Sequence, residues 1–136
     1  MIKILTIGKI KERNIKVLVE EFLERLKRFY RIEFLELKSE EQLLKQFKDA
    51  YIVACDENGL QLSSKEFSDF IKEKIINKDL IFVIGDENGL SDEIKSKANF
   101  KLSFSKMTFL HDMFKLLLVE QIYRAFTIIK GMRYHK

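Results

Sequence analysis

The 136 residues include no proline, no tryptophan, one cysteine and two histidines. Without proline there is no cis-proline turn and no proline helix stop, so five glycines and short polar side chains must do the turning. The single cysteine, Cys55, excludes an intrachain disulfide and suits a reducing cytoplasm. So few histidines and cysteines argue against a dedicated transition-metal site, and no metal is expected. No stretch reaches the apolar length of a membrane span, and MIKILTIGKIKER has no signal-like core or cleavage site, so no membrane partner is expected. Charge of one sign is also missing. Lys+Arg number 25 against 21 Asp+Glu, and the two interleave. A net charge of +4 permits nucleic-acid binding without establishing it. What is present is 46% hydrophobic residues, enough to exclude a disordered chain. No linker or low-complexity segment interrupts the chain, so a single domain is expected over Met1–Lys136.

The hydrophobic pattern alternates strand and helix. Met1–Gly8 reads as a strand. Asn14 is placed to cap a helix running to about Phe29, with Val17, Leu18, Phe22 and Leu26 at helical spacing. Ile32–Leu37 reads as a second strand, and Ser39 with Gln42 as the cap of a short helix to Lys48. Tyr51–Cys55 and Leu80–Ile84 are uninterrupted apolar runs, as in strands covered on both faces. Between them lie a polar turn, Asp56–Leu60, and a helix entered through a Ser63/Glu66 capping box. A short helix at Ser91–Ala98, a strand at Phe100–Phe104 and a closing helix at His111–Lys130 complete the pattern. The expected class is α/β, a parallel sheet with helices on both faces.

Three segments stand out. In FVIGDENGLS, Phe82–Ser91, a strand enters a turn bracketed by Gly85 and Gly89. Glycine there permits close backbone approach to a ligand, but the spacing is neither GxGxxG nor a P-loop, and alone it reads as a structural turn. The same pentad, DENGL, follows the strand at Tyr51–Cys55, and chance reuse of a good turn explains it. In LSFSKMTFLHDM, Leu102–Met113, the loop Phe104, Ser105, Lys106, Met107, Thr108, Phe109 carries apolar residues that solvent would waste. It either plugs the core or faces a flat ligand. His111, at the following helix start, reads as structural. That helix is apolar on nearly every face, which points to a second subunit. Within it Glu120 and Arg124 stand four apart. Arg124 is either the partner of Glu120 or a guanidinium offered to phosphate. The terminal Tyr134, His135 and Lys136 form either a frayed end or an aromatic and basic contact to a nucleic acid.

Taken together, FVIGDENGLS, LSFSKMTFLHDM, EQIYRAFTIIKG and the terminal YHK resemble the ribosomal RNA large subunit methyltransferase H family of the SPOUT superfamily. The likeness covers essentially the whole chain. It implies a C-terminal trefoil knot, a homodimer, S-adenosyl-L-methionine as cofactor, and methylation of N3 of a pseudouridine in large-subunit (23S) rRNA within the ribosome. By position it puts cofactor contacts at Cys55, Gly85 and Phe104 to Phe109, and substrate-side residues at Arg124, Tyr134 and His135. This chain departs from the family pattern at Leu110, where proline is usual, at Asp86, where glycine is common, and at Lys115, where arginine is common. His135 is the expected base or anion stabiliser, and Tyr134 a stacking or hydrogen-bonding partner of the target base. Another RNA such as tRNA as substrate, or a non-catalytic ribosome-binding module, are the competing readings.

Overall fold

The computed structural model describes residues Met1–Lys136. Five parallel strands, β1 (Ile2–Ile7), β2 (Ile32–Leu37), β3 (Ala50–Gln61), β4 (Asp79–Ile84) and β5 (Phe100–Ser103), form one sheet in the order β2-β1-β4-β3-β5. Five helices connect or close them: α1 (Arg13–Leu26), α2 (Glu40–Leu44), α3 (Ser64–Lys74), α4 (Asp92–Lys97) and α5 (His111–Ile129). The class is the one expected.

The uninterrupted apolar strands are explained by two cores. Side chains of a strand alternate between faces. Leu80, Phe82 and Ile84 of β4 enter one core with Ile15 and Val19 of α1, Phe67 and Ile71 of α3, and Leu118, Ile122 and Phe126 of α5. Ile81 and Val83, the intervening residues, enter the other with Leu43 of α2 and Ile94 of α4. Thus α1, α3 and α5 cover one face while α2 and α4 cover the other. Eight of the nineteen residues of α5 are buried against α1, α3 and the sheet of the same chain, and all the rest but Met113 are partly covered. Its apolar composition alone therefore does not demand a second subunit. The apolar residues left exposed near it are Met113 on the helix, Met107, Phe109 and Leu110 in the loop before it, and Met132 just after it. No helix is long and apolar enough to cross a membrane.

Several boundaries differ from the sequence reading. The Ser63/Glu66 capping box and the Ser39 cap form. Asn14 is not a cap: α1 starts at Arg13 behind Glu12, which makes no side-chain cap bond. The backbone N–H groups of Lys11 and Glu12 instead donate to the Asp112 carboxylate from α5, at 2.8 and 2.9 Å. A distant acid replaces the local one, which sequence spacing does not reveal. The Asp56–Leu60 segment is not a free turn either. It is a bulge inside β3, with Cys55 and Leu60 both opposite Leu102 of β5 before pairing resumes at Gln61 and Ser103. Gly59 lies so close to β5 that a Cβ would stand 2.5 Å from the Lys101 carbonyl oxygen.

Candidate functional site

Strand order determines where a ligand fits. After β3 the chain turns to the face of α3, and after β4 it turns to the face of α4. Neighbouring strands whose connections diverge leave a crevice at their carboxyl ends. A cavity of about 640 Å³ opens there. That volume suits a small-molecule or cofactor site.

Three segments wall it: the β3 bulge at Cys55, Asp56, Glu57 and Asn58, the turn from Gly85 to Leu90, and the loop from Ser103 to Leu110. Of the residues expected at a cofactor site, Cys55, Gly85, Phe104, Ser105, Met107, Thr108 and Phe109 line the cavity, and Lys106 does not. The loop thus borders the cavity, and the Phe104 ring also packs at a tilt against Phe114 of α5 with centroids 4.8 Å apart. Leu110, the residue before α5, has φ −52°. That is a proline-compatible value, so the departure from the family's proline leaves the loop path open. The two DENGL pentads turn out to face the same cavity. In each, the first aspartate side chain accepts from the asparagine backbone N–H, at 3.4 Å in the first and 2.8 Å in the second. The first pentad, treated as a turn without a role, lies on the wall because the bulge in β3 carries it there.

Burial pushes the Cys55 thiol well above its ordinary value. A protonated, half-buried thiol is a poor nucleophile, so this cysteine lines the cavity without attacking anything.

His111, expected to be structural, also borders the cavity. Next to it sits a buried ion pair. Lys115 is fully buried, donates to the Gly8 carbonyl oxygen at 3.2 Å and lies 3.7 Å from the Asp112 carboxylate. It is therefore a strut for the loop after β1, not an RNA contact, and lysine serves that purpose where the family commonly has arginine. Burial draws the Lys115 ammonium below its usual range, against the pull of Asp112 and Glu36. Burial also pushes the Asp112 carboxyl up, but the backbone bonds from Glu12 and Lys11 and the Lys115 charge outweigh it and leave the value lowered. A carboxyl whose folded value is depressed lends stability above its ordinary range and loses it as pH falls through the folded value. Asp112→Asn strands a buried ammonium and costs roughly 3–5 kcal/mol at neutral pH. Urea melts should show that loss, and should show the variant declining less than the wild type between about pH 5 and pH 3.

The tail does not fray. Tyr134 packs edge-on against Tyr123 at 4.8 Å, and its hydroxyl donates to Glu120 at 2.8 Å. Arg124 pairs with Glu120 at 2.9 Å, lies over the Tyr134 ring at 4.8 Å, and donates to Nδ1 of His135 at 3.1 Å. Burial and the Glu120 carboxylate raise the Tyr134 hydroxyl above its ordinary value. Glu120 holds this cluster together, and sequence spacing had cast it only as an ion-pair partner. The structure brings Arg124, Tyr134 and His135 together, but none of them lines the cavity that holds Gly85 and the Phe104–Phe109 loop. Within the chain the two groups stay apart.

A parallel α/β sheet with a loop-walled cavity at its switch point defines a small-molecule-binding α/β class. The family model described as "Predicted SPOUT methyltransferase" matches residues 1–135. The chain is 46% identical to the ribosomal RNA large subunit methyltransferase H of Caldicellulosiruptor saccharolyticus, over 100% of both chains. It is 40% identical to that of Clostridium acetobutylicum, over 99% of both. The chain belongs to the ribosomal RNA large subunit methyltransferase H family. The fold is also that of more distant solved structures. One is the SpoU methyltransferase AviRb of Streptomyces viridochromogenes in complex with AdoMet, with TM-score 0.57 and 12% identity. That match covers 96% of this chain and 58% of AviRb. Another is the TrmH/SpoU tRNA modifying enzyme of A. aeolicus, with TM-score 0.55, 15% identity, and 96% of this chain against 77% of that one.

Proposed function

We propose that the protein transfers a methyl group from S-adenosylmethionine to N3 of a pseudouridine in large-subunit rRNA, as a cytoplasmic homodimer with a knotted C-terminal region. The observation that carries this is the cavity itself. Seven of the eight residues that the family likeness names for the cofactor converge on its wall.

The residues present fit that cofactor. Phe104, Phe109 and Ile84 offer apolar surface to an aromatic base, while the loop backbone and Asp56 offer polar groups to an adenosine and amino-acid moiety. When bound, the cofactor supplies a methyl group already activated on a sulfonium. The chain's own work is then to align, to exclude water and to stabilise charge. Met107, Phe109 and Leu110, exposed in the protomer, are suited to covering the site against a second subunit.

The tail supplies the charge stabilisation. A guanidinium only donates, so its bond makes Nδ1 of His135 an acceptor. In the neutral ring the proton then sits on Nε2. His135 thereby offers a hydrogen-bond donor to negative charge developing on the target base, in preference to acting as its base. The tail of one subunit completes the pocket of the other, since within a protomer the two groups are apart.

Methylation of ribosomes from a strain lacking the enzyme, followed by nucleoside mass spectrometry, tests the activity. N3-methylpseudouridine should appear, and its absence with wild-type protein and cofactor would reject the assignment. Sedimentation equilibrium tests the dimer. The wild type should run at twice the 16.2 kDa chain mass. Met113→Glu places a charge at an apolar position exposed in the protomer and should shift the protein toward monomer without unfolding it. A wild-type monomer at micromolar concentration would exclude the dimer.

A further inference from the structure

The sheet has a second switch point. After β1 the chain turns to the face of α1, while its neighbour β4 sends the chain to the face of α4. A cleft of about 460 Å³ lies there. The loop after β1, carrying Lys9 and Lys11, forms one wall, and Asp86–Asn88 another. The start of α5, with His111, completes it.

His111 lines both this cleft and the cofactor cavity. Its Nε2 is buried and has no hydrogen-bond partner. Native proteins rarely leave such an atom unpaired, because doing so forfeits its solvation. Burial and the nearby Lys115 favour the neutral ring. The adjacent groups cannot satisfy it, for Asp112 and Lys115 are already engaged with each other and with the backbone of Gly8, Lys11 and Glu12. Those same contacts hold the lysine-bearing loop in place. Yet Lys9 and Lys11 keep their side chains in solvent. Lys11 meets only Glu87, at 3.9 Å, in a pair whose side chains are both at least 75% exposed. Such a pair is worth little and yields readily to a better anion.

We propose that this cleft receives the target nucleotide of the RNA, with Lys9 and Lys11 holding its phosphate and the His111 ring turning its unpaired Nε2 out to hydrogen-bond the base beside the methyl donor's cavity. The inference rests on the methyltransferase reading above and deepens it. Enzymes that act on a base take it out of its stack into a pocket, and the volume suits a nucleotide. The carboxylates of Asp86 and Glu87 on the facing wall repel phosphate and accept from ribose hydroxyls. The nucleotide is thereby oriented with its phosphate toward the lysines.

The test combines single-turnover methylation of ribosomes lacking the modification with calorimetry of S-adenosylmethionine binding. The double variant Lys9→Ala, Lys11→Ala should raise the KM for ribosomes by roughly tenfold or more and flatten its salt dependence, while cofactor affinity stays within about twofold. His111→Phe should lower kcat/KM by roughly tenfold, the size of one lost hydrogen bond, and His111→Gln should restore part of it. Circular dichroism and an unchanged cooperative thermal melt show that each variant is folded. Undiminished methylation in both the lysine and phenylalanine variants overturns the proposal. So does a loss of cofactor affinity in His111→Phe that matches its loss of activity, because the ring then serves the donor's cavity. An inactive wild type defeats the methyltransferase reading and this inference together, whereas active variants defeat this inference alone.

Discussion

Deleting Tyr134–Lys136 should abolish methyl transfer while leaving the fold and cofactor affinity nearly intact. The deletion removes no residue of either core and none from the cavity wall. It does remove the Tyr134 ring from Tyr123 and the His135 acceptor from Arg124. Those contacts lie on one side of α5, where Glu120 and Arg124 remain paired without the tail. The deletion also removes the Tyr134 hydroxyl bond to Glu120 and the ring beneath Arg124, so the stability change should be about 1–3 kcal/mol, the combined worth of a half-buried aromatic contact, a cation–π contact and two hydrogen bonds. Turnover should fall by roughly a hundredfold or more, because the hydrogen-bond donor aimed at developing charge is lost. Single-turnover methylation of unmodified ribosomes, with thermal melts and calorimetry alongside, separates the two effects. Full activity in the truncated enzyme would reduce the docked tail to packing. Arg124→Ala should lose activity without deletion of any tail residue, since His135 then loses the donor that fixes its tautomer. It should also bind RNA with a shallower salt dependence if the guanidinium meets phosphate.

Much of this was legible in the sequence, and the parts that were not share a cause. Tyr51–Cys55 and Leu80–Ile84 announced buried strands because a parallel sheet between two helical layers leaves no face for polar residues. Ser63 and Glu66 announced a helix start because a capping box is local. Asn14 misled, because the N–H groups before α1 are held by Asp112, about a hundred residues away in sequence. The β3 extension stayed hidden for the same reason. Asp56–Leu60 has turn composition, and only β5 running alongside turns it into a bulge. At the cavity, the loop Phe104–Phe109 drew notice through its misplaced apolar residues, and all of its residues except Lys106 line the wall. His111 gave no signal, since its orphaned nitrogen is a property of three segments meeting. The Glu120–Arg124 spacing was readable, but the docking of His135 on Arg124 depends on the chain doubling back after Gly131, which has φ +68°.

Gly85→Val should abolish cofactor binding, and the structure changes the reason. The sequence reading put glycine there for close approach to a ligand. The approach is in fact internal. A Cβ on Gly85 would stand 2.5 Å from the Gly89 carbonyl carbon and 2.7 Å from the Leu90 nitrogen. Both are backbone atoms of the same turn, so no side chain can swing aside. The turn must open, which breaks the Asp86–Gly89 pairing and draws Leu90 from the second core, where it is only 6% exposed. Overpacking of this kind costs about 1–3 kcal/mol and moves backbone that walls the cavity. Cofactor affinity should fall by roughly a hundredfold or more, since misplacing several backbone contacts at once loses more than one hydrogen bond. The internal reason makes a sharper demand than the ligand-based one. Gly85→Ala should be nearly as damaging as Gly85→Val, because the first carbon already collides. Gly89→Ala provides the contrast in the same turn. Nothing lies within 4 Å of its added Cβ, but φ is +82°, so the cost is conformational, roughly 1–2 kcal/mol, and Gly89→Asn should recover part of it. Calorimetry with S-adenosylmethionine across these four variants decides. Near-native affinity in Gly85→Ala would show that the turn relaxes at little cost and would return Gly85 to a ligand-facing role.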